Sequence, residues 1–215
     1  MSAIPTDLDH IVLAGPDLAA VVAGFEQLTG VRGAPGGKHP TGTENHLVAF
    51  TVGGRRTRHY LELIGPTAGV EASEVETFGI SRRSGPGVAT FAIHPADVDA
   101  VHAEASSAGV RLGDLRPLSR RKPDGDLLEW RVSGGPGRDP DPAVPFLIDW
   151  ADTPHPALGD LPTIELVSVT VTHPEPEALR ATYAALGLDA DIVAGPAPAI
   201  SFTVVASDGG LVTVA

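Results

Sequence analysis

The sequence predicts an α+β fold of repeated βαβββ modules, two pairing into a cup-shaped mixed sheet and a third added at the C-terminus. Three observations carry this. One pattern of strand, acid-started helix and glycine stop occurs three times along the 215 residues. Each copy is followed by short apolar runs of strand length. Glycine (25) and proline (20) are both frequent, which suits many turns between short strands rather than long helices.

The first copy is "LDHIVLAGPDLAAVVAGFEQLTGV", Leu8 to Val31. The second is "VATFAIHPADVDAVHAEASSAGV", Val88 to Val110, and the third is "LVSVTVTHPEPEALRATYAALGL", Leu166 to Leu188. An acid opens each helix (Asp17, Asp97, Glu175) and a glycine ends it (Gly30, Gly109, Gly187). Both placements suit the helix dipole and a left-handed C-terminal turn. His10, Thr90 and Ser168 hold one shared position, seven residues before the acid.

Further strands follow in each copy. In the first they are expected around Val31 to Ala34, in "HLVAFTV" and in "HYLELIG". In the second they are expected around Leu115 to Leu118, in "LLEWRVS" and in "VPFLIDW". The third offers "DIVA", "AISFTVVA" and "LVTVA". The predicted organisation is a cup-forming domain over 1–160, with modules at about 6–66 and about 86–152, and a third module over 161–215. A βαβββ unit covers one sheet face with its own helix. Two units side by side curl their open faces into a cup, a natural small-molecule site. The third module is left to pack alone or to pair with its copy in a homodimer.

Composition narrows the function. Fifteen basic residues face 27 acidic ones, a formal charge of −12, and such a field repels a phosphate backbone. The one basic cluster, "SRRKPDGD", is short and diluted by acid, so no nucleic-acid partner is expected. No apolar run reaches the length of about 18 residues that suggests a membrane span. Cysteine is absent, which removes disulfides, thiolate ligands and a cysteine nucleophile. The N-terminal residues lack a basic-then-apolar pattern, so a cytoplasmic location is expected.

Strand alternation selects the inward residues. With Ile11 and Leu13 on the helix side, His10, Val12 and Ala14 face the cup. With Leu61 and Leu63 on the helix side, Tyr60, Glu62 and Ile64 face it. In module two, taking Phe146, Ile148 and Trp150 as core turns Leu147 and Asp149 inward. Taking Leu128, Trp130 and Val132 as core turns Glu129 and Arg131 inward, and a guanidinium there suits a carboxylate clamp. A direct overlay of "YLEL" on "FLID" instead sets Ile148, not Asp149, opposite Glu62.

"LDHIVLAGPDL", with "YLELIGP" about 50 residues later, resembles the vicinal oxygen chelate superfamily of glyoxalases, extradiol dioxygenases, epimerases and antibiotic-resistance proteins. "GGKHPTGTENHLVAF", "LLEWRVSG" and "PFLIDWADTPHP" resemble its glyoxalase-like domain subfamily. The resemblance spans residues 6 to 156. It implies a divalent ion (Zn, Fe, Mn, Ni or Mg) that polarises adjacent substrate oxygens as a Lewis acid. His10 and Glu62 match its ligand places. Thr90 stands where a histidine or glutamine is usual, and Asp149 is the parity-based third candidate. Glu62 is also the candidate catalytic base. Isomerase, lyase and dioxygenase chemistry on a small oxygenated substrate all remain open. The alternative is a metal-free protein that binds a small molecule or an antibiotic, with His10 and Glu62 as a polar or acid–base pair.

"GGKHPTGTENHLVAF" has no phosphate-loop pattern and runs into a strand rather than a helix. It is expected as a polar connection at the rim of the cup, with His39, Asn45 and His46 as candidate ligand contacts. His46 is also a possible replacement for the ligand missing at Thr90. His94, His102, His155 and His173 are expected to be structural or on the surface.

Overall fold

The computed structural model describes residues 4, 5, 7–122, 124–135 and 141–215. Module one is β1 (Leu8–Ala14), α1 (Leu18–Thr29), β2 (Ala34–Lys38), β3 (Thr43–Val52) and β4 (Arg55–Pro66). Module two is β5 (Gly87–Ile93), α2 (Val98–Ser107), β6 (Asp114–Arg121), β7 (Leu127–Gly134) and β8 (Phe146–Asp149). Module three is β9 (Thr163–His173), α3 (Pro176–Ala185), β10 (Asp191–Ala194), β11 (Ala199–Val205) and β12 (Leu211–Val214). The three βαβββ units of the sequence are therefore present in order. No helix among the described residues is long and apolar enough to cross a membrane.

Local chemistry explains the helix ends. The Asp17 carboxylate accepts from the backbone N–H groups of Ala19 and Ala20, and Asp97 accepts from Ala100. Glu175 makes no such side-chain bond; Pro176 begins α3 instead, in the position a helix start tolerates. Gly30 ends α1 at φ 72°, a left-handed turn that favours glycine.

Pairing joins β3, β2, β6, β7, β8, β5, β1 and β4 in sequence, and β4 pairs β3 again, so modules one and two close a ring. The ring shuts between β2 and β6 through one residue pair, Lys38 with Arg121. Module three joins through β9, which runs parallel to β3 at Ala49 to Thr51. It also shares the helix-side core: Phe50 meets Phe202 edge-on at 6.0 Å, and the Tyr183 hydroxyl donates to the Ala143 carbonyl at 2.6 Å.

Alternation sorts the apolar residues into two cores. The helix side holds Ile11, Leu13, Leu61 and Leu63 against Val21, Val22 and Phe25 of α1. Burying one such large side chain is worth about 1.5–3 kcal/mol. The cup side holds Val12, Ala14, Tyr60 and Ile64 with Trp130, Phe146, Ile148 and Trp150. One boundary differs from expectation. The second strand lies at Ala34–Lys38, so Gly36 and Gly37 belong to the sheet and not to the rim connection.

Candidate functional site

The ring encloses a cavity of about 540 Å³. Its polar end is built by module one. His10 on β1 and Tyr60 on β4 are register partners, their rings stacked 4.6 Å apart. Glu62, one step further along the same face of β4, brings a carboxylate oxygen to 3.8 Å from His10 Nε2. His10, Tyr60, Glu62 and His39 all line the cavity.

His10 is held from behind. The Asp9 carboxylate takes its Nδ1 at 2.7 Å, and also takes Trp150 Nε1 at 2.9 Å and His155 Nε2 at 3.0 Å. Burial alone raises the Asp9 pKa, but the bonds from His10 and His155 outweigh it and leave the carboxyl well below its usual range. Asp9 is therefore an ionised acceptor, and the His10 proton sits on Nδ1. Nε2 then faces the cavity, toward Glu62. His155 is fixed likewise, because its Nδ1 accepts from the Ala157 N–H.

Alternation alone turns Asp9 toward the helices. Between Leu8 and His10 the β1–β5 register shifts, Leu8 facing Ile93 and His10 facing Ala92. Asp9 is the extra residue of a β-bulge, which re-aims its side chain. That shift carries no apolar signature, so sequence reasoning missed it.

Glu62 is held by Asn45. The Asn45 amide N–H donates to one Glu62 oxygen, and its carbonyl oxygen accepts from Arg120 at 3.0 Å. Asn45 lies beneath the cavity floor, 1% exposed. Arg120 reaches this place from β6, where Arg116, Leu118 and Arg120 alternate along the cavity wall. Sequence reasoning saw Arg120 only as part of a diluted basic run. His39 stands against the Trp130 ring edge-on at 6.2 Å and bonds Thr43 through Nδ1 at 3.0 Å. Burial outweighs the nearby Glu62 charge and lowers its pKa to about 4, so it is neutral at pH 7. Burial raises the Tyr60 phenol, with Asp9 and Glu62 adding to the effect.

Three expectations are corrected. Asp149 does not face the cup: its carboxylate takes Arg131 Nη2 at 2.6 Å and the Ala151 N–H at 2.9 Å. Arg131 points the same way, out to Asp149 and to Asp99 of α2. The reason is one parity error in each strand. Trp130, Val132, Phe146, Ile148 and Trp150 line the cavity, while Leu147 packs on the helix side. Bulk was a poor guide because this wall of the cup is itself apolar. His46 also turns away, bonding the Gly33 carbonyl through Nδ1 at 2.8 Å.

The donor set can be tested against a bound ion. A protein-held divalent ion ordinarily meets three or more side-chain ligands. Among the described residues no group of three or more His, Asp or Glu is placed to hold one. His10 and Glu62 supply two donors, and one Glu62 oxygen is already engaged by Asn45. Thr90 and Ile148 occupy the matching places in module two, and neither is a usual ligand. The residues present do not fit a tightly held ion.

A glyoxalase-like domain model matches residues 8–187. The chain belongs to this glyoxalase-like domain family. It therefore lies in the vicinal oxygen chelate superfamily. Among solved structures, a hypothetical protein from Staphylococcus aureus shares the fold across 98% of both chains, with TM-score 0.66 and 13% identity. A Mn(II)-bound glyoxalase from Novosphingobium aromaticivorans matches over 99% of this chain and 82% of its own, with TM-score 0.51 and 12% identity. A Streptomyces coelicolor methylmalonyl-CoA epimerase covers 71% of this chain and all 100% of its own, with 25% identity and TM-score 0.42. Among curated protein sequences, none matches this chain.

Proposed function

We propose that this glyoxalase-like protein is an enzyme that moves a proton on a small oxygenated substrate, using His10 and Glu62 as its acid–base pair. The observation that carries this is the Asp9–His10–Glu62 line. A buried carboxylate fixes the histidine tautomer, and the free Nε2 faces a second carboxylate 3.8 Å away across the cavity. Glu62 takes a proton from carbon beside a carbonyl, the C–H electron pair moves into the carbonyl as an enolate, and the proton returns from Glu62 or through His10. Isomerase and lyase reactions both begin this way.

The Mn(II) named for the Novosphingobium glyoxalase belongs to that protein. A metal-dependent reading of this chain needs a third ligand that the donor set does not offer, so no step is routed through an ion. The metal-free binding reading is favoured by one feature, the aromatic wall of Trp130, Phe146 and Trp150. The third module is proposed as the homodimer surface, on the exposed Val167, Val193 and Leu211.

The test combines metal analysis of purified protein with solvent-deuterium exchange into small 2-oxo and 2-hydroxy acids. Exchange that survives a chelator and is lost in Glu62→Gln supports the acid–base enzyme. Exchange that returns only with a stoichiometric divalent ion replaces it with the metalloenzyme. Binding without exchange, untouched by His10→Ala, replaces it with the binding protein.

A further inference from the structure

The cavity holds a buried cation that, among the described residues, touches no carboxylate directly. Arg120 is 4% exposed, and its Nε is buried with no hydrogen-bond partner. Its one side-chain bond goes from Nη1 to a neutral acceptor, Asn45 Oδ1. Among the described residues no carboxylate pairs with it. A buried charge without a partner is costly, and buried charges are ordinarily paired.

Asn45 explains why Glu62 does not serve. It sits between the two charges, accepting from Arg120 on one side and donating to Glu62 on the other. Glu62 keeps its second oxygen toward His10 and the cavity, and Arg120, which lines the cavity, keeps an unpartnered Nε. The sheet is shaped to permit this. Gly36 is the extra residue of a bulge in β2, between Pro35 facing His46 and Gly37 facing Asn45. A Cβ on Gly36 would lie 2.3 Å from Asn45 Oδ1 and 2.9 Å from Arg120 Nη1. The missing side chain is the room the Asn45–Arg120 contact occupies.

Beside Arg120 the wall is Leu118, Trp130, Phe146, Ile148 and Trp150. A guanidinium fork matches a carboxylate, and an apolar aromatic wall matches a flat apolar body. We propose that Arg120 anchors the anionic group of the ligand, and that the cavity takes a small monocarboxylate with an aromatic or similarly flat apolar body. The carboxylate lies on Arg120, the body on the tryptophan wall, and the reacting carbon near Glu62. This inference rests on the acid–base reading for its last clause only.

The test uses the full chain with phenylacetate and its neutral isostere phenylacetamide, followed by calorimetry and by the fluorescence of Trp130 and Trp150. Phenylacetate is expected to bind at least about tenfold tighter than the amide, a gap of about 1.4 kcal/mol. Arg120→Gln is expected to erase that preference, and Arg120→Lys to keep part of it, since it keeps the charge and loses the fork. Gly36→Ala is expected to weaken phenylacetate by pushing apart the Asn45–Arg120 contact while the arginine is retained. Equal binding of the two probes by the wild-type protein overturns the proposal whatever the variants do. So does an unchanged preference in Arg120→Gln, or no saturable response to phenylacetate. If the preference holds while deuterium exchange is absent or indifferent to Glu62→Gln, the anion site stands and the enzymatic reading falls.

Discussion

The two walls of the cup come from the same βαβββ plan and carry opposite chemistry. Module one presents His10, Tyr60 and Glu62 over Asn45; module two presents Trp130, Phe146, Ile148 and Trp150, with Thr90 at the place of His10. A symmetric cup would gather ligands from both halves around one point. Here the second half has become a largely apolar wall, and of the two arginines that line it from β6, Arg116 is exposed and Arg120 is buried. Under the proposed acid–base reading, bond-making falls to module one and recognition of the ligand's shape to module two. Breaking that division is the largest effect expected. Glu62→Gln should cut deuterium exchange by about 10²–10⁴-fold, the usual contribution of a positioned general base. Ile148→Val, at the matching place of module two, should shift ligand affinity by about 1 kcal/mol and leave the exchange rate of bound substrate unchanged. A comparable loss of rate in both variants would erase the distinction.

Asp9 sharpens the comparison, because it ties the walls together. It accepts from His10 of module one, from Trp150 on the wall of module two, and from His155 just beyond it. Asp9→Asn should destabilise the fold by about 3 kcal/mol, the low end of the cost of breaking a buried charged pair. A purely structural Asp9 would stop there. A residue that positions His10 should also move the pH profile of exchange, because the amide has no charge and only one acceptor oxygen for the three donors Asp9 now serves. Denaturant midpoints and the pH profile, measured on one variant, separate the two.

The same contrast explains what was legible beforehand. Repeats, helix caps and strand count come from local pattern, and all three modules were readable from it. His10, Tyr60 and Glu62 were also readable, because in module one a polar cup face alternates with an apolar helix face. In module two both faces are apolar, so alternation has no sign, and Asp149 and Arg131 were turned the wrong way. Asp9 and Gly36 escaped for another reason. Each is the extra residue of a bulge, and a bulge changes the face without changing the composition. Arg120 was visible only as charge. What pairs with it is set by a strand contact 75 residues away in sequence, at Asn45.

A last effect concerns the seam between the walls. His39 belongs to module one and stands edge-on to Trp130 of module two. Its pKa is lowered from 6.5 to about 4, chiefly by burial there. Between those values the unfolded chain binds a proton that the folded chain refuses. Stability is therefore unaffected by this group above pH 6.5, falls as pH drops toward 4, and loses at most about 1.4 kcal/mol per pH unit. Burial also lowers His59 and His94, which act in the same direction. The difference between the wild type and His39→Gln isolates the seam: urea midpoints should diverge least near pH 4.5 and most at pH 7, where the wild type keeps what protonation would remove. Parallel curves would mean that His39 is open to solvent, and that the walls do not meet at this edge of the cup.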